Sequence, residues 1–337
     1  MIGRIGNLAI WEWFKLRRRW MLWILLAFAI LFAQLAVWGS FFSYQNLVST
    51  GGEITVPATL QSQQGRAPRT LACNDLLSGD PARQPIDLDA QVLDGMRAQC
   101  RQQLATQPQR LQRAHDNLTL PGSIPLALGT LQTLGLILIA VLCASAIGID
   151  YGAGTLRSVL VQGTGRWPYL AAKLLTLVVL AGLGLIVATA SVVISSAIAE
   201  RLAAPAAAST AATWSAAGIA LWKAWLSLIP YITLTAFVTV LARSSAAGMA
   251  IGLGYYFAEQ ILVALLSNFF SWFANVAEYL PVHSISAWSG STGFGGPAAP
   301  ADLAHAGFVL VGYTLVLGAL AFWIFHRRDV QGATGGG

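Results

Sequence analysis

Charge is what this sequence has least of. Charged residues make up 10% of the 337-residue chain and hydrophobic residues 56%, whereas soluble domains carry about 25% charged residues. So little charge cannot cover a water-facing surface, and a mean hydropathy of +0.63 places the chain in a bilayer. Histidine and cysteine are also scarce, at four and three. With no CxxC, HExxH or clustered His/Cys, a metal site is not expected. Neither a GxxxxGK[ST] stretch nor any Gly-Lys pair occurs, so the chain cannot cradle nucleotide phosphates in the usual way. The net charge is +6, but the basic residues sit in small clusters beside apolar runs. That pattern marks membrane orientation rather than a nucleic-acid surface, and no nucleic-acid partner is expected.

Apolar runs long enough to cross a bilayer, about 20 residues each, occur six times, at 20–42, 124–148, 174–198, 219–242, 248–267 and 306–325. The expected fold is an all-α integral membrane protein with six transmembrane helices. The first run is longer than the about 7–15 residues of a secretory signal core, and no small-x-small cleavage site follows it. Trp20–Phe42 is therefore expected as a retained span. With the N-terminus in the cytoplasm, that side collects Arg4, Lys15, Arg17, Arg18, Arg19, Arg157, Arg166, Lys173, Arg243, Arg327 and Arg328. The short opposite segments hold only Arg201 and Lys223. The long loop after the first span has seven Arg and seven acidic residues, and a loop of that length translocates largely regardless of charge. A multi-pass protein of the plasma or inner membrane is expected, with both termini, including the 326–337 tail, in the cytoplasm.

Ile2, Ile5, Ala9, Trp13 and Leu16 recur at helical spacing, with Arg4, Glu12 and Lys15 off that stripe. Residues 1–19 thus read as an amphipathic interfacial helix in the bilayer surface. Trp13 sits at headgroup level, Lys15 belongs to the polar side of this helix, and Arg17, Arg18 and Arg19 face anionic lipid. Two roles fit it: an anchor that fixes topology, or a helix that also touches a cytoplasmic partner. Segment 43–122 reads as a mainly helical external domain whose first part, with Gly51, Gly52, Pro57, Gly65 and Pro68, is irregular. In "DLDAQVLDGMRAQCRQQL", Leu88, Val92, Met96, Cys100 and Leu104 fall four residues apart, the mark of an amphipathic helix. Asp87, Asp89 and Asp94 come early and Arg97 and Arg101 late, as the helix dipole favours. Pro108 is expected to break this helix, with a second short one running to Asn117. A disulfide between Cys73 and Cys100 is expected because this side is oxidising; two free thiols are the alternative. Segment 268–304 is aromatic, weakly charged and interrupted at Pro281. It is too polar to span and too apolar for an exposed loop, so short re-entrant helices are expected before the sixth span. A flexible return, "SGSTGFGGPAAPAD", follows them, and "QGATGGG" at the end reads as disordered.

The connector over 150–173 carries more pattern than a turn needs. Tyr151, Thr155, Leu156, Val159 and Leu160 can share one side of a short helix. Gly163 and Gly165 end it, and Pro168 suits the first turn of the next. Asp150-Tyr151, Gly154-Thr155-Leu156-Arg157, Arg166 and Lys173 resemble the pattern between spans two and three of type-2 ABC transporter permeases. "ARSSAAGMAIGLGYYFAE" resembles that family's Arg-Ser-Ser turn and glycine-rich fifth span, and "FHRRDV" its C-terminal end. The resemblance covers the membrane part and not the domain over 43–122. It implies that the connector is a coupling helix on which a separate ATP-binding cassette subunit docks. Asp150, Tyr151, Gly154, Thr155, Leu156, Arg157 and Arg166 would carry that docking. It further implies a second permease copy or homologue in a two-plus-two assembly, and export as the direction of transport. ATP and Mg would be carried by the partner, with no cofactor on this chain and no catalysis by it.

Three polar residues in apolar spans, Gln132, Thr133 and Glu259, are candidates for a pathway or gate. For Glu259 the alternative is a carboxyl bonded to a neighbouring helix. Gly248, Gly252 and Gly254 permit close helix packing. An apolar bundle with few charges suits a lipid-like, drug-like or amphipathic peptide cargo. Two other function classes stay open: a membrane anchor or sensor whose external domain binds a ligand, and a membrane-embedded enzyme. The second would draw on His283, Glu278 and His305, whose spacing fits no metal or nucleophile arrangement. The charge count generates a direct test of topology. A cysteine introduced at Gln63 is expected to react with an impermeant thiol reagent on intact cells, and one at Ser158 to stay unlabelled until the membrane is opened. The reverse labelling would overturn the orientation.

Overall fold

The computed structural model describes residues 2–50, 53–55, 70–78, 90–152, 165–202, 213–290 and 303–327. Helix α1 is Ile2–Arg17 and α2 is Trp20–Thr50. A ribbon of β1 (Glu53–Thr55) and β2 (Thr70–Ala72) follows, then α3 (Cys73–Ser78) and α4 (Ala90–Leu118). The remaining helices are α5 (Ser123–Gly152), α6 (Arg166–Leu202), α7 (Trp214–Ala242), α8 (Ser245–Phe269), α9 (Ser271–Ala277), α10 (Pro281–Ser289) and α11 (Leu303–Arg327). Six of these, α2, α5, α6, α7, α8 and α11, are long and apolar enough to cross a membrane. They are helices because a segment in hydrocarbon must satisfy every backbone N–H and C=O within itself. Each extends beyond its apolar run; α6 begins at Arg166 and α5 continues to Gly152. Asp150, Tyr151, Arg166 and Lys173 therefore lie in the end turns of two long helices rather than in a separate short one. The rest of the expected coupling helix, including Gly154, Thr155, Leu156 and Arg157, lies outside the described residues. So do the return over 291–302 and the C-terminal stretch from 328.

The chain divides into two compact units. The larger comprises 1–36, 124–195 and 213–337. Its core includes Leu136, Ala140, Cys143, Tyr169, Leu170, Leu177, Tyr231, Ile232, Ala236 and Tyr256. Helices α7 and α8 form the expected tight hairpin: Arg243 caps α7 in the left-handed region at φ 53°, and the Ser244 hydroxyl accepts the Ala247 N–H to start α8. Before the sixth span there are two short helices, α9 and α10, and Pro281 occupies the first turn of α10, where its missing N–H leaves no bond unmade.

The smaller unit comprises 37–123 and 196–212. It is not purely helical: β1 and β2 pair antiparallel with Ile54 opposite Leu71, within the part that reads as irregular in sequence. Cys73 and Cys100 are joined by a disulfide with Cα atoms 5.4 Å apart, tying α3 to α4 around Leu76 and Met96. Met96 and Cys100 of the four-residue stripe are buried and Leu104 packs against them; Leu88 and the Val92 side chain lie outside what is described. Helix α4 does not break at Pro108 but runs through it to Leu118. A proline interior to a helix removes one N–H bond and kinks the chain, and the flanking turns of this helix continue on both sides.

One contact without a sequence signal brings α5 directly against α8. A Cβ on Gly148 of α5 would stand 2.4 Å from the Ser245 Cα at the start of α8. Gly248 faces Thr239 and Ala144, where a Cβ would meet the Thr239 hydroxyl at 2.2 Å. Gly252 tolerates little more, with the Ala140 Cβ at 3.2 Å. Gly254, grouped with them in the sequence, faces open space. Gly148→Val is therefore expected to lower stability by about 1–3 kcal/mol or to prevent insertion, as overpacking does. Gly254→Ala is expected to be neutral to stabilising. Thermal transitions of both variants in detergent check the pair; equal transitions would remove the close crossing.

Candidate functional site

Charges inside or at the edge of a membrane are costly unless paired, and the sequence places three in neighbouring elements: Lys15 on α1, Asp150 on α5 and Lys173 on α6. The structure brings them together. Lys15 Nζ donates to Asp150 Oδ1 at 2.6 Å. The Lys173 ammonium pairs with the other carboxylate oxygen, Oδ2, which also accepts the Tyr169 hydroxyl at 2.5 Å. Lys173 Nζ donates to the Tyr169 oxygen at 3.1 Å and lies 5.1 Å from its ring centroid. Glu12 completes the set, 3.9 Å from Lys15 Nζ and 3.8 Å from Lys173 Nζ. Asp150 is 2% exposed and Lys173 1%, so water does little of the neutralising. Two lysines thus face two carboxylates. Burial pushes half-buried Lys15 below the usual lysine range, and the Glu12 carboxylate opposes that shift.

Surrounding contacts set the three helix ends in register. Thr176 of α6 donates to the Ala9 carbonyl of α1 at 3.3 Å. Leu16 is buried in the core, and Trp13 and Tyr151 pack against it. Arg166 Nη1 donates to the His326 carbonyl at the C-terminus of α11, 2.6 Å away, where a cation suits the helix dipole. Trp167 stacks on Phe322 with centroids 4.9 Å apart, and Tyr169 on Phe325 at 6.2 Å. Arg17 and Arg18 remain exposed and Arg19 half-buried.

The interfacial-helix residues and the described connector residues thus meet in one place. Asp150, read from sequence as a docking residue, has its carboxylate turned inward to Lys15 and Lys173. Glu12 and Tyr169 are not among the site residues expected from sequence, and Lys173 enters only through the family resemblance. The sequence signal for such a cluster is electrostatic: an acid at one apolar boundary and a lysine at the next need each other.

The candidate gate residues separate into two places. Gln132 Nε2 of α5 donates to the Ser227 hydroxyl of α7 at 2.5 Å, both buried, and Thr133, the next residue, is half-buried. Glu259 of α8 is bonded to a neighbouring helix: its Oε1 accepts the His283 backbone N–H at 2.6 Å. The other carboxyl oxygen, Oε2, is buried with no hydrogen-bond partner among the described residues. Leu280, at the N-cap of α10, has no side-chain cap of its own. Glu259 supplies the missing acceptor from another helix, a carboxyl at the positive end of a dipole. Burial holds the adjacent His283 imidazole below its usual range, with Glu278 opposing. His305 packs edge-on against Tyr279 at 4.8 Å, and among the described residues no group of three His, Cys, Asp or Glu could hold a metal.

Removing one member of a buried ion cluster strands the others, at a cost of about 3–5 kcal/mol. Asp150→Asn keeps the shape and is expected to destabilise by that order. Lys173→Met added to it is expected to recover part of the loss, with a coupling of about 0.5–3 kcal/mol. A double-mutant cycle on thermal or chemical unfolding checks this; strict additivity would dissolve the cluster as an energetic unit.

Comparison with known families gives one result that spans the molecule. The family model for ABC-2 family transporter proteins matches residues 6–330, from within α1 to beyond the end of α11. Comparison with curated proteins finds no match. The matched range takes in all six apolar helices, the ion cluster and the Glu259 cap, and the chain belongs to the ABC-2 transporter family.

Proposed function

We propose that this chain, a membrane permease subunit by its family, exports a hydrophobic or amphipathic cargo, such as a lipid, drug or peptide. A separate ATP-binding subunit, carrying ATP and Mg, docks on 150–173 and drives it. Two permeases, identical or homologous, pair with two ATPases. The α1 end of the bundle faces the cytoplasm, and 43–122 faces the other side.

The observation that supports this reading most is the ion cluster. Residues 153–164 are flanked by Asp150 and Tyr151 on one side and Arg166, Tyr169 and Lys173 on the other. Asp150, Tyr169 and Lys173 are locked to one another and to α1. A push on that segment is therefore delivered to three helices at once rather than absorbed at one loose end. In this arrangement Asp150 acts as a positioning residue, while Leu156 and Arg157 offer the contact: an apolar knob for a pocket and a cation for an acidic rim. The cargo class rests on the bundle's lack of charge.

Leu156→Asp places a charge in the proposed contact and is expected to weaken docking by about 3 kcal/mol, in the range of an unpaired buried charge. Membrane insertion is expected to survive. Co-purification of the ATPase from native membranes and cargo-stimulated hydrolysis are expected to fall together. If the unaltered chain brings down no ATP-binding protein, the powered-export reading fails and an anchor or sensor built on the external domain takes its place. If the variant keeps partner and coupling, docking lies elsewhere.

A further inference from the structure

Between α2, α5, α6 and α7 lies a cavity of about 100 Å³ walled only by apolar side chains and glycine. Leu22 and Leu26 line it from α2, Gly135 and Ile139 from α5, and Gly184 from α6. A dry apolar space of this size holds a small hydrocarbon rather than water, which would find no polar partner there. Gly184 gives the cavity its width, since the atom nearest to a Cβ placed there is Leu26 Cδ1, at 4.0 Å.

The edge of the cavity at Leu22 adjoins a second, independent feature. Leu22 is three residues beyond Arg19, less than one helical turn, and Arg17, Arg18 and Arg19 form the corner between α1 and α2. Arg17 and Arg18 are exposed, and among the described residues no carboxylate pairs with either. The carboxylates of the ion cluster beside them are taken up by Lys15 and Lys173, which leaves these two cations outside that pairing. Trp23 fixes the corner by donating its indole N–H to the Arg17 carbonyl at 3.0 Å. Trp20 beside it is 84% exposed, in keeping with a ring at headgroup level.

We propose that this corner is a binding site for one anionic phospholipid of the leaflet on the α1 side. Its phosphate lies against Arg17 and Arg18, and one acyl chain enters the cavity between α2 and α6. Charge complementarity selects the headgroup, and the aliphatic wall selects a chain of ordinary length. The lipid is a resident of the fold, and the inference does not depend on the transport reading.

The test uses the full chain, delipidated in detergent, with dioleoyl phosphatidylglycerol and dioleoyl phosphatidylcholine as probes and native mass spectrometry as readout. One phosphatidylglycerol per chain is expected to survive activation that strips phosphatidylcholine. R17Q/R18Q, at exposed positions, is expected to reduce its retention to the phosphatidylcholine level. G184L, which fills the cavity, is expected to reduce it as well. Should G184L fail to fold, dihexanoyl phosphatidylglycerol tests the cavity without mutation and is expected to be retained at least tenfold less than the dioleoyl form. Equal retention of the two dioleoyl lipids, or unchanged retention in R17Q/R18Q, would overturn the site. Equal retention of the short-chain lipid, or full competition by glycerol 3-phosphate, would reduce it to an anion site and overturn the acyl-chain assignment.

Discussion

An ion withdrawn from water must find its opposite, and at the α1 end of this bundle that requirement decides which helices are neighbours. Asp150 cannot be left buried without a cation, and one ammonium does not saturate two carboxylate oxygens. Lys15 takes one oxygen and Lys173 the other. Since these lysines belong to α1 and α6, the carboxylate on α5 fixes three chain segments by electrostatics rather than by shape alone. Glu12 balances the second lysine. The aromatic stacking of Trp167 and Tyr169 on α11 is built on the same turns of α6, so the last span is held in place by the neighbours of the cluster.

A related constraint acts at the other apolar interruption. A short helix near hydrocarbon has N–H groups that neither water nor its own cap residue satisfies. Glu259 meets that need from α8. One carboxyl oxygen therefore takes up a first-turn N–H of α10 and gains a donor in an otherwise apolar span. The two acids, Asp150 and Glu259, meet different partners: the first gathers cations, and the second accepts a backbone N–H.

The six long helices were legible because hydrocarbon imposes a length and a composition that survive in the sequence as runs. Their ends were less legible. The polar turns at Gly152 and Arg166 extend helices that the apolar pattern alone would stop, because capping and ion pairing carry the backbone past the hydrophobic boundary. Pro108 misled in the same direction: a proline weakens one hydrogen bond but does not stop a helix that packs on either side of it. The Cys73–Cys100 pairing could be anticipated from compartment and scarcity, whereas β1 and β2 left no alternation long enough to read. Of the site, Lys15, Asp150, Arg166 and Lys173 stand out through clustering and resemblance. Glu12 and Tyr169 do not, because residues brought together by packing leave no local pattern. Gly148 was hidden for the same reason: one glycine among many, whose partner lies on α8.

That glycine has a mechanical consequence. Gly148 of α5 rests against the backbone and Cβ of Ser245 on α8, with no α5 side chain between them. Were the two helices to tilt on one another, this contact would be the fulcrum. It lies two residues from Asp150 and 25 from Ser123, which at 1.5 Å per residue gives arms of about 3 Å and 38 Å. With α5 rigid, a tilt about this contact would therefore displace its far end more than ten times as much as Asp150.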